Sequence, residues 1–318
     1  STHVSELKSY HLGFVIGPAL NAGGRLQTAE KSARLLLEDD EQEAMVRAID
    51  LHSINESRKD MTAQALEQAV LEVETTSLKN DRVLVVYLPK CHESLAGIVA
   101  GKLREKYYKP CIVLTDGEGG IVKGSARSIE GYHMSDSLSE VSELLLKYGG
   151  HPMAAGMSLS RDNVDKFRKA LNDNCTLTEE QLTEKCWIDI PLPVSAITLD
   201  WLQELDILEP FGNGNEKPAF AYANLTLLRV SIIGRNKNVL KLTFREEQGY
   251  VFEAMMFHGM DDFLTDLQSN YGTKVKDDLL RGIPDALAPV RMSIMYEPGI
   301  NVFRDVRSIQ IVIRDYHM

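Results

Sequence analysis

The chain has 318 residues, a formal net charge of −11 and a hydrophobic content of 44%. This length suits about two domains and a connecting segment, with the composition of an ordinary soluble globular protein. The acidic balance argues against a protein that coats nucleic acid by unspecific attraction. Residues 81–176 are nearly neutral, with 13 Lys and Arg against 12 Asp and Glu, so a local basic groove is compatible with the charge.

The remaining global features indicate a cytoplasmic protein. The four cysteines form no Cys-x-x-Cys pair, which favours reduced thiols. No apolar run reaches the roughly 18 residues of a membrane span, and no signal-peptide pattern is present, so we expect no membrane partner. No group of Asp and His is spaced to hold a catalytic metal, so we expect no metal ligand in this chain.

The N-terminal part is predicted to contain turns and then helices. Residues 11–26 are rich in glycine and indicate turns. A short helix is predicted over 28–37 and a long one over 41–74, because apolar residues recur there near helical spacing. At 1.5 Å per residue the long helix would measure ~50 Å, which favours a connector. We assign 1–40 to the end of a preceding domain and 41–78 to a connecting helix.

A mixed α/β domain is predicted over 79–178. Its predicted strands are 82–88, 111–115, 121–125 and 157–159, and its predicted helices are 95–108, 135–147 and 163–172. The polar stretch 172–184 is predicted to be a linker.

The last domain, 185–318, is predicted to be a β-barrel of the OB-fold type. Short strands separated by turn residues are predicted at 187–190, 224–234, 238–245, 250–257, 290–296 and 308–313, with one helix at 261–271. Residues 235–238 are typical of a hairpin tip.

Basic and aromatic residues lie on or near two adjacent strands of this barrel. The basic residues are Arg235, Lys237, Lys241 and Arg245. Together with Phe244 and Tyr250, they would suit the backbone and bases of single-stranded nucleic acid. The signal is weak, because aromatic residues in strands usually belong to the core.

Two short clusters in the α/β domain indicate a phosphate-binding surface. The segment 124–128, Gly-Ser-Ala-Arg-Ser, supplies two hydroxyls and the guanidinium of Arg127, which is equally suited to a structural ion pair. In the second cluster, Gly149 and Gly150 permit a turn with positive φ, and His151 can donate to an anionic oxygen or transfer a proton. A glycine that ends a helix would explain only one of these two glycines.

His92 lies between a predicted strand and a predicted helix, where free N–H groups can bind an anion. Taken alone, this segment is as well explained by an ordinary helix entry with Ser94 as the N-cap. The sequence leaves both interpretations open.

Five stretches resemble the C-terminal part of the RecJ family, the 5′→3′ single-strand-specific exonucleases of the DHH phosphoesterase superfamily. They are 16–26, 92–101, 124–128, 149–156 and 208–215, in the order and spacing of the family. The first is similar to the family's IGPRLNAAGRL, with Ala19 in place of an arginine. The family's N-terminal Asp-His-His domain is missing, so we expect a fragment of a longer protein.

The resemblance implies a metal-dependent 5′→3′ exodeoxyribonuclease of DNA repair and recombination, with two Mn²⁺ or Mg²⁺ ions bound by the missing domain. It implies that His151 contacts the scissile phosphate and that His92 lines the same groove. The residues implied in binding the 5′-terminal phosphate are Arg25, Ser125, Arg127, Ser128, Gly149 and Gly150. The implied partners are single-stranded DNA with a 5′ end, a helicase and a single-strand-binding protein. The fragment alone is expected to be inactive.

Two functions of other kinds stay open. Domains with a Gly-Gly-His sequence also end alanyl-tRNA synthetases, where they bind tRNA without catalysis. Nano-RNA and cyclic-dinucleotide phosphodiesterases belong to the same superfamily but usually lack the OB domain. The stretch 17–26 and the predicted barrel argue against the tRNA-binding module.

Overall fold

Two structural units divide the chain between Lys185 and Cys186 in the computed structural model, which describes residues 7–285 and 287–318. The first unit contains the N-terminal helices and an α/β sheet, and the second contains a β-barrel. No helix of the described ranges combines the length and the apolar character needed to cross a membrane.

Helices occupy the glycine-rich N-terminal stretch. A π-helical segment over His11–Ile16 continues into α1 (Gly17–Leu26), and α2 spans Glu30–Leu36. The prediction of turns over 11–26 was therefore wrong, although the short helix predicted after it is present.

The reason is helix packing. Pro18 lies in the first turn of α1, where the missing N–H costs no hydrogen bond. Ala22 and Gly23 are buried, and a Cβ on Gly23 would come within 3.2 Å of the Leu51 side chain of the next long helix. The small residues thus serve a close helix contact.

The predicted long helix is confirmed as α3 (Glu41–Thr75). Asp40 caps it, because its carboxylate accepts hydrogen bonds of 2.9 Å from the backbone N–H groups of Gln42 and Glu43. One stripe along α3 is buried. It consists of Leu51, Ile54, Asn55, Thr62, Ala65, Ala69 and Val73.

A five-stranded sheet forms the centre of the first unit, in the order β1-β2-β3-β5-β4. Only β1 and β2 are parallel to each other. The strands are β1 (Leu84–Tyr87), β2 (Cys111–Asp116), β3 (Ile121–Arg127), β4 (Leu145–His151) and β5 (Ala154–Ser160), and the helices are α4 (Glu93–Tyr107), α5 (Met134–Glu140) and α6 (Val164–Asp173).

The two faces of the sheet pack against different helices, because side chains alternate along a strand. Leu84 and Val113 belong to the core with α3 and α4. Leu114 and Met157 belong to the core with Phe167 of α6 and with α5.

The predicted helix over 135–147 was wrong beyond Glu140. Residues 145–151 form β4 instead, which pairs with β5 at the edge of the sheet. The leucines of this stretch have helical spacing, but pairing with β5 outweighs it, and glycine is a poor helix former. Gly149 and Gly150 therefore lie inside a strand, and the helix-stop interpretation was also wrong.

The second unit is an OB-like barrel, as predicted. Five strands close in the order β7-β8-β9-β11-β10, with β10 pairing back onto β7. The elements are β6 (Ile190–Pro191), α7 (Leu199–Leu205), β7 (Phe220–Ile233), β8 (Val239–Arg245), β9 (Val251–Met256), α8 (Met260–Tyr271), α9 (Thr273–Arg281), β10 (Arg291–Phe303) and β11 (Val306–His317).

Two details of the barrel unit differ from the prediction. The strand expected at 187–190 is reduced to the short β6, and the helix α9 was not predicted. The loop 208–215 is closed by Asn215, whose amide donates to the backbone oxygens of Leu208 at 2.9 Å and Pro210 at 3.0 Å.

Candidate functional site

Strand pairing brings the two phosphate-binding clusters together. Arg127 of β3 and His151 of β4 both pair with Ala154 of β5. Residues directly opposite each other in a sheet point to the same face. Arg127 and His151 therefore share one face, two strands apart, with about 10 Å between their Cα atoms.

The next row has the same arrangement, because Ser125 and Gly149 both pair with Gly156. We call this surface the open sheet face. It consists of Lys123, Ser125, Arg127, Lys147, Gly149, His151, Ala154, Gly156 and Ser158. The face contains no carboxylate, and it continues the side of the sheet on which α4 packs.

A cavity of about 470 Å³ opens on this face. Ser125, Gly149 and Gly156 belong to its lining, and Glu93 and Ala96 of α4 contribute to it as well. Glu93 holds the Nζ atom of Lys123 at 2.7 Å. A pocket with polar groups and a glycine floor beside a helix is suited to a small anionic ligand or to the end of a polymer.

Arg127 lies half-buried against α4. Its Nη1 donates to the backbone oxygen of Ala126 at 2.7 Å, and a Cβ on Gly97 would lie 3.0 Å from its Nη2. Burial and the charges of Arg104 and Arg25 lower the pKa of Arg127. No carboxylate of the described residues pairs with it, so its charge is available to an anion.

Arg25 reaches the same region from the end of α1. Its Nη1 donates to the backbone oxygen of Ser94 at 3.0 Å, which joins two motifs that are 69 residues apart. This bond has a neutral acceptor, so the charge of Arg25 is also preserved.

His92, and not Ser94, is the N-cap of α4. Its Nδ1 accepts from the backbone N–H of Ser94 at 3.3 Å and lies 2.8 Å from the Ser94 hydroxyl. When His92 is neutral, this bonding assigns its proton to Nε2, which is then a donor. The Ser94 interpretation was wrong, and His92 has both a structural contact and a free donor.

The two serines of the first cluster have different environments. Ser125 is half-buried on the open sheet face. Ser128 is fully buried, its hydroxyl donates to the backbone oxygen of Tyr132 at 2.6 Å, and its N–H donates to Met153 at 2.9 Å. Ser128 therefore fixes the chain after β3, and the expectation that it contacts phosphate does not agree with this placement.

The two adjacent glycines also differ. Gly150 has a φ of +155°, and a Cβ there would lie 2.4 Å from the backbone oxygen of Ala154, so the fold itself requires glycine. A Cβ on Gly149 would meet nothing within 4 Å, and one on Gly156 would meet only the oxygen of Gly124 at 3.9 Å. Since glycine weakens a strand, these two open positions are typical of close approach by a ligand.

Sequence reasoning missed Lys123, Lys147 and Gly156. Their signal is the alternation of strands: Lys123, Ser125 and Arg127 are two residues apart and so share a face. The edge strand β4 had been predicted as a helix, which concealed the corresponding position of Lys147.

The described residues contain no group of three or more His, Cys, Asp or Glu side chains that could hold a metal ion. The residues present therefore do not fit the metal centre that the family resemblance implies.

In the barrel, the four predicted basic residues have unequal settings. Arg235 and Lys237 are exposed at the tip of the β7–β8 hairpin, and Arg245 is exposed at the end of β8. Lys241 is paired with Glu253 at 2.8 Å, which offsets its charge.

The aromatic residues of the barrel are divided between core and surface. Phe244 is fully buried in the core, so its suggested role in base stacking was wrong. Tyr250 is 44% exposed and stacks on Phe252, which leaves it as an aromatic surface close to Arg245.

The comparisons with known proteins agree with both folds. Residues 80–176 match the DHHA1 domain, and residues 188–315 match the RecJ OB domain. A crystal structure of RecJ in complex with Mn²⁺ from Thermus thermophilus has a TM-score of 0.75 and 22% identity, over 98% of this chain and 42% of that chain. This last similarity concerns the fold alone.

Two curated relatives are similar over nearly the whole chain. The single-stranded-DNA-specific exonuclease RecJ of Bacillus subtilis (strain 168) is 35% identical, over 98% of this chain and 37% of the relative. The protein of the same name from Haemophilus influenzae is 32% identical, over 99% of this chain and 52% of the relative. The chain thus spans about half, or less, of these relatives. It belongs to the RecJ family, of which it carries the DHHA1 domain and the OB domain.

Proposed function

We propose that this chain is the DNA-end-binding part of a 5′→3′ exonuclease that hydrolyses single-stranded DNA in repair and recombination. The observation that carries the proposal is the orientation of Arg25 and Arg127 by neutral backbone oxygens, which leaves both charges free. Phosphate is the ligand that guanidinium groups bind most specifically, by paired hydrogen bonds. Ser125 adds a hydroxyl on the same face.

In this proposal the terminal phosphate of the strand binds Arg25, Ser125 and Arg127. His151 lies on the same face, and its side chain makes no hydrogen bond with a described residue. It is therefore free to contact the scissile phosphate as a donor. His92 lines the groove through its Nε2, and the glycine floor admits the nucleoside between the two phosphates.

The metal chemistry of the reaction would come from another part of a longer protein. The donor set of this chain does not fit a metal centre, whereas solved RecJ structures are described as complexes with Mg²⁺ or Mn²⁺. Divalent ions in such nucleases activate water and stabilise phosphate oxygens. The residues of this chain bind and orient the strand.

The OB domain would bind further nucleotides without sequence preference. Exposed Arg235, Lys237 and Arg245 would attract the backbone, and Tyr250 would stack with a base. A helicase, a single-strand-binding protein and a cytoplasmic location agree with this role and form part of the proposal.

A competition experiment tests the binding proposal. We expect a 5′-phosphorylated single strand to displace a labelled one about tenfold better than the same strand with a 5′-hydroxyl, since one charged contact is lost. Duplex DNA, tRNA and cyclic dinucleotides should compete poorly. Preferential binding of tRNA would favour the tRNA module, and preferential binding of dinucleotides would favour the phosphodiesterase.

We also expect this chain alone to show no nuclease activity when Mn²⁺ is supplied, because its residues do not form a metal centre. Digestion of a 5′-phosphorylated strand is measured by gel electrophoresis, with a longer RecJ protein as the positive control. Robust Mn²⁺-dependent digestion by this chain would refute the division of labour.

A further inference from the structure

A further arginine, Arg58, lies on the packed face of α3. It is seven residues, or about two helical turns, after Leu51, which packs with Ala22 of α1. It is also seven residues before Ala65, which belongs to the core with α4. Arg58 thus lies on α3 between the contact with α1, which carries Arg25, and the contact with α4.

The side chain of Arg58 is fixed from one end. Its Nε donates to Oδ1 of Asn55 at 3.1 Å, and Asn55 is buried with 5% exposure. The Nη atoms of Arg58 make no hydrogen bond with a described residue. Burial and the charge of Arg25 lower the pKa of Arg58, as expected for a second cation nearby.

Arg25, Arg58 and Arg127 share an unusual pattern of partners. Each is held by a neutral oxygen: a backbone oxygen for Arg25 and Arg127, and an amide oxygen for Arg58. Other arginines of the first unit are held by carboxylates, such as Arg34 by Glu30 and Arg47 by Glu38.

Neutral partners orient a guanidinium without offsetting its charge. Like charges brought together with partial loss of water are unfavourable unless an anion joins them. The three arginines therefore form a preorganised anion site, to which α1, α3 and β3 each contribute one residue.

We propose that Arg58 is a third guanidinium of the 5′-terminal phosphate site and that Asn55 is its positioning residue. The inference rests on the proposed function. A terminal phosphate monoester carries a charge of about −1.5 to −2 near neutral pH, whereas an internal diester carries a single charge. A third cation therefore favours the end of a strand over its interior.

The substitution Asn55→Asp is the sharpest test. It keeps an oxygen acceptor for Arg58 in nearly the same shape but adds a carboxylate that neutralises the guanidinium. We expect the preference of this chain for a 5′-phosphorylated over a 5′-hydroxyl single strand to fall about tenfold, the effect of one charged hydrogen bond. The thermal unfolding temperature should be unchanged or higher, because a cation gains a partner.

Arg58→Met should give the same loss, and Arg58→Lys should retain part of the preference. Arg47→Met is the matched control, since Arg47 also lies on α3 but is paired with Glu38. It should leave the preference unchanged. Affinity for the 5′-hydroxyl strand should not change in any variant, and inorganic phosphate should raise the unfolding temperature of the wild type more than that of Asn55→Asp.

The outcomes separate the two proposals. If the wild-type chain shows no preference for the 5′-phosphate, the proposed function fails. If the wild type shows the preference and folded Asn55→Asp and Arg58→Met keep it in full, Arg58 has only a structural role and the inference is overturned.

Discussion

Replacement of Arg127 by alanine is expected to lower the affinity for a 5′-phosphorylated single strand by about 30- to 100-fold. The lost interaction is a charged, bidentate contact with a terminal phosphate in a half-buried setting, worth about 2–3 kcal/mol. In a longer protein with nuclease activity, the same cost should appear in kcat/KM on 5′-phosphorylated DNA. Fluorescence anisotropy with labelled strands measures the first effect, and initial rates measure the second.

Arg168→Ala is the control for this variant. Arg168 of α6 is also partly buried, but it is paired with Asp81 at 2.5 Å. Its loss should lower the free energy of unfolding and leave the 5′-phosphate preference unchanged. Equal affinity of Arg127→Ala and wild type for the phosphorylated strand would exclude Arg127 from the site.

The second large effect is expected for Gly149→Val. The new side chain would meet no protein atom at its Cβ and would project from the open sheet face into the cavity. A ligand displaced by even about 1 Å can lose roughly 100-fold in productive binding. We therefore expect at least about a 100-fold loss of affinity for the single strand, measured by anisotropy, while Gly149→Ala has a smaller effect.

The fold should tolerate this change, because valine is favoured in strands and glycine is not. The free energy of unfolding of Gly149→Val, measured in urea, should therefore be no lower than that of the wild type. Leu146→Val on the exposed part of the same strand should leave affinity unchanged.

Gly150→Val gives the opposite control. It should lower the free energy of unfolding by about 2–3 kcal/mol, because its backbone suits only glycine. Undiminished binding by a stable Gly149→Val would show that the glycine floor is not a ligand contact.

Much of the site was predictable from sequence, since its motifs lie at the ends and along the faces of strands. The pairing of Arg127 and His151 with Ala154 follows from antiparallel strands that place both motifs in one row. The long helix, α4 and the barrel were also predictable, because their apolar periodicity is clear.

The remaining features depend on tertiary contacts that a local pattern does not contain. Ser128 looks like a phosphate ligand in its motif, yet its hydroxyl is used by Tyr132. Arg58 looks like an ordinary surface position of a helix, and only the packing of α1 and α4 on both sides of it reveals its setting. The β4 error arose because leucine spacing favours a helix until β5 supplies a partner.

The position of β4 at the rim of its sheet affects how the molecule behaves in concentrated solution. A strand with an unpaired outer side can recruit a strand from a neighbouring copy, and flat glycine-containing segments resist this least. Lys147, whose charge makes such stacking unfavourable, alternates along β4 with the glycine that admits the ligand. The requirement for an accessible binding surface and the protection against self-association are therefore met by alternate residues of the same strand.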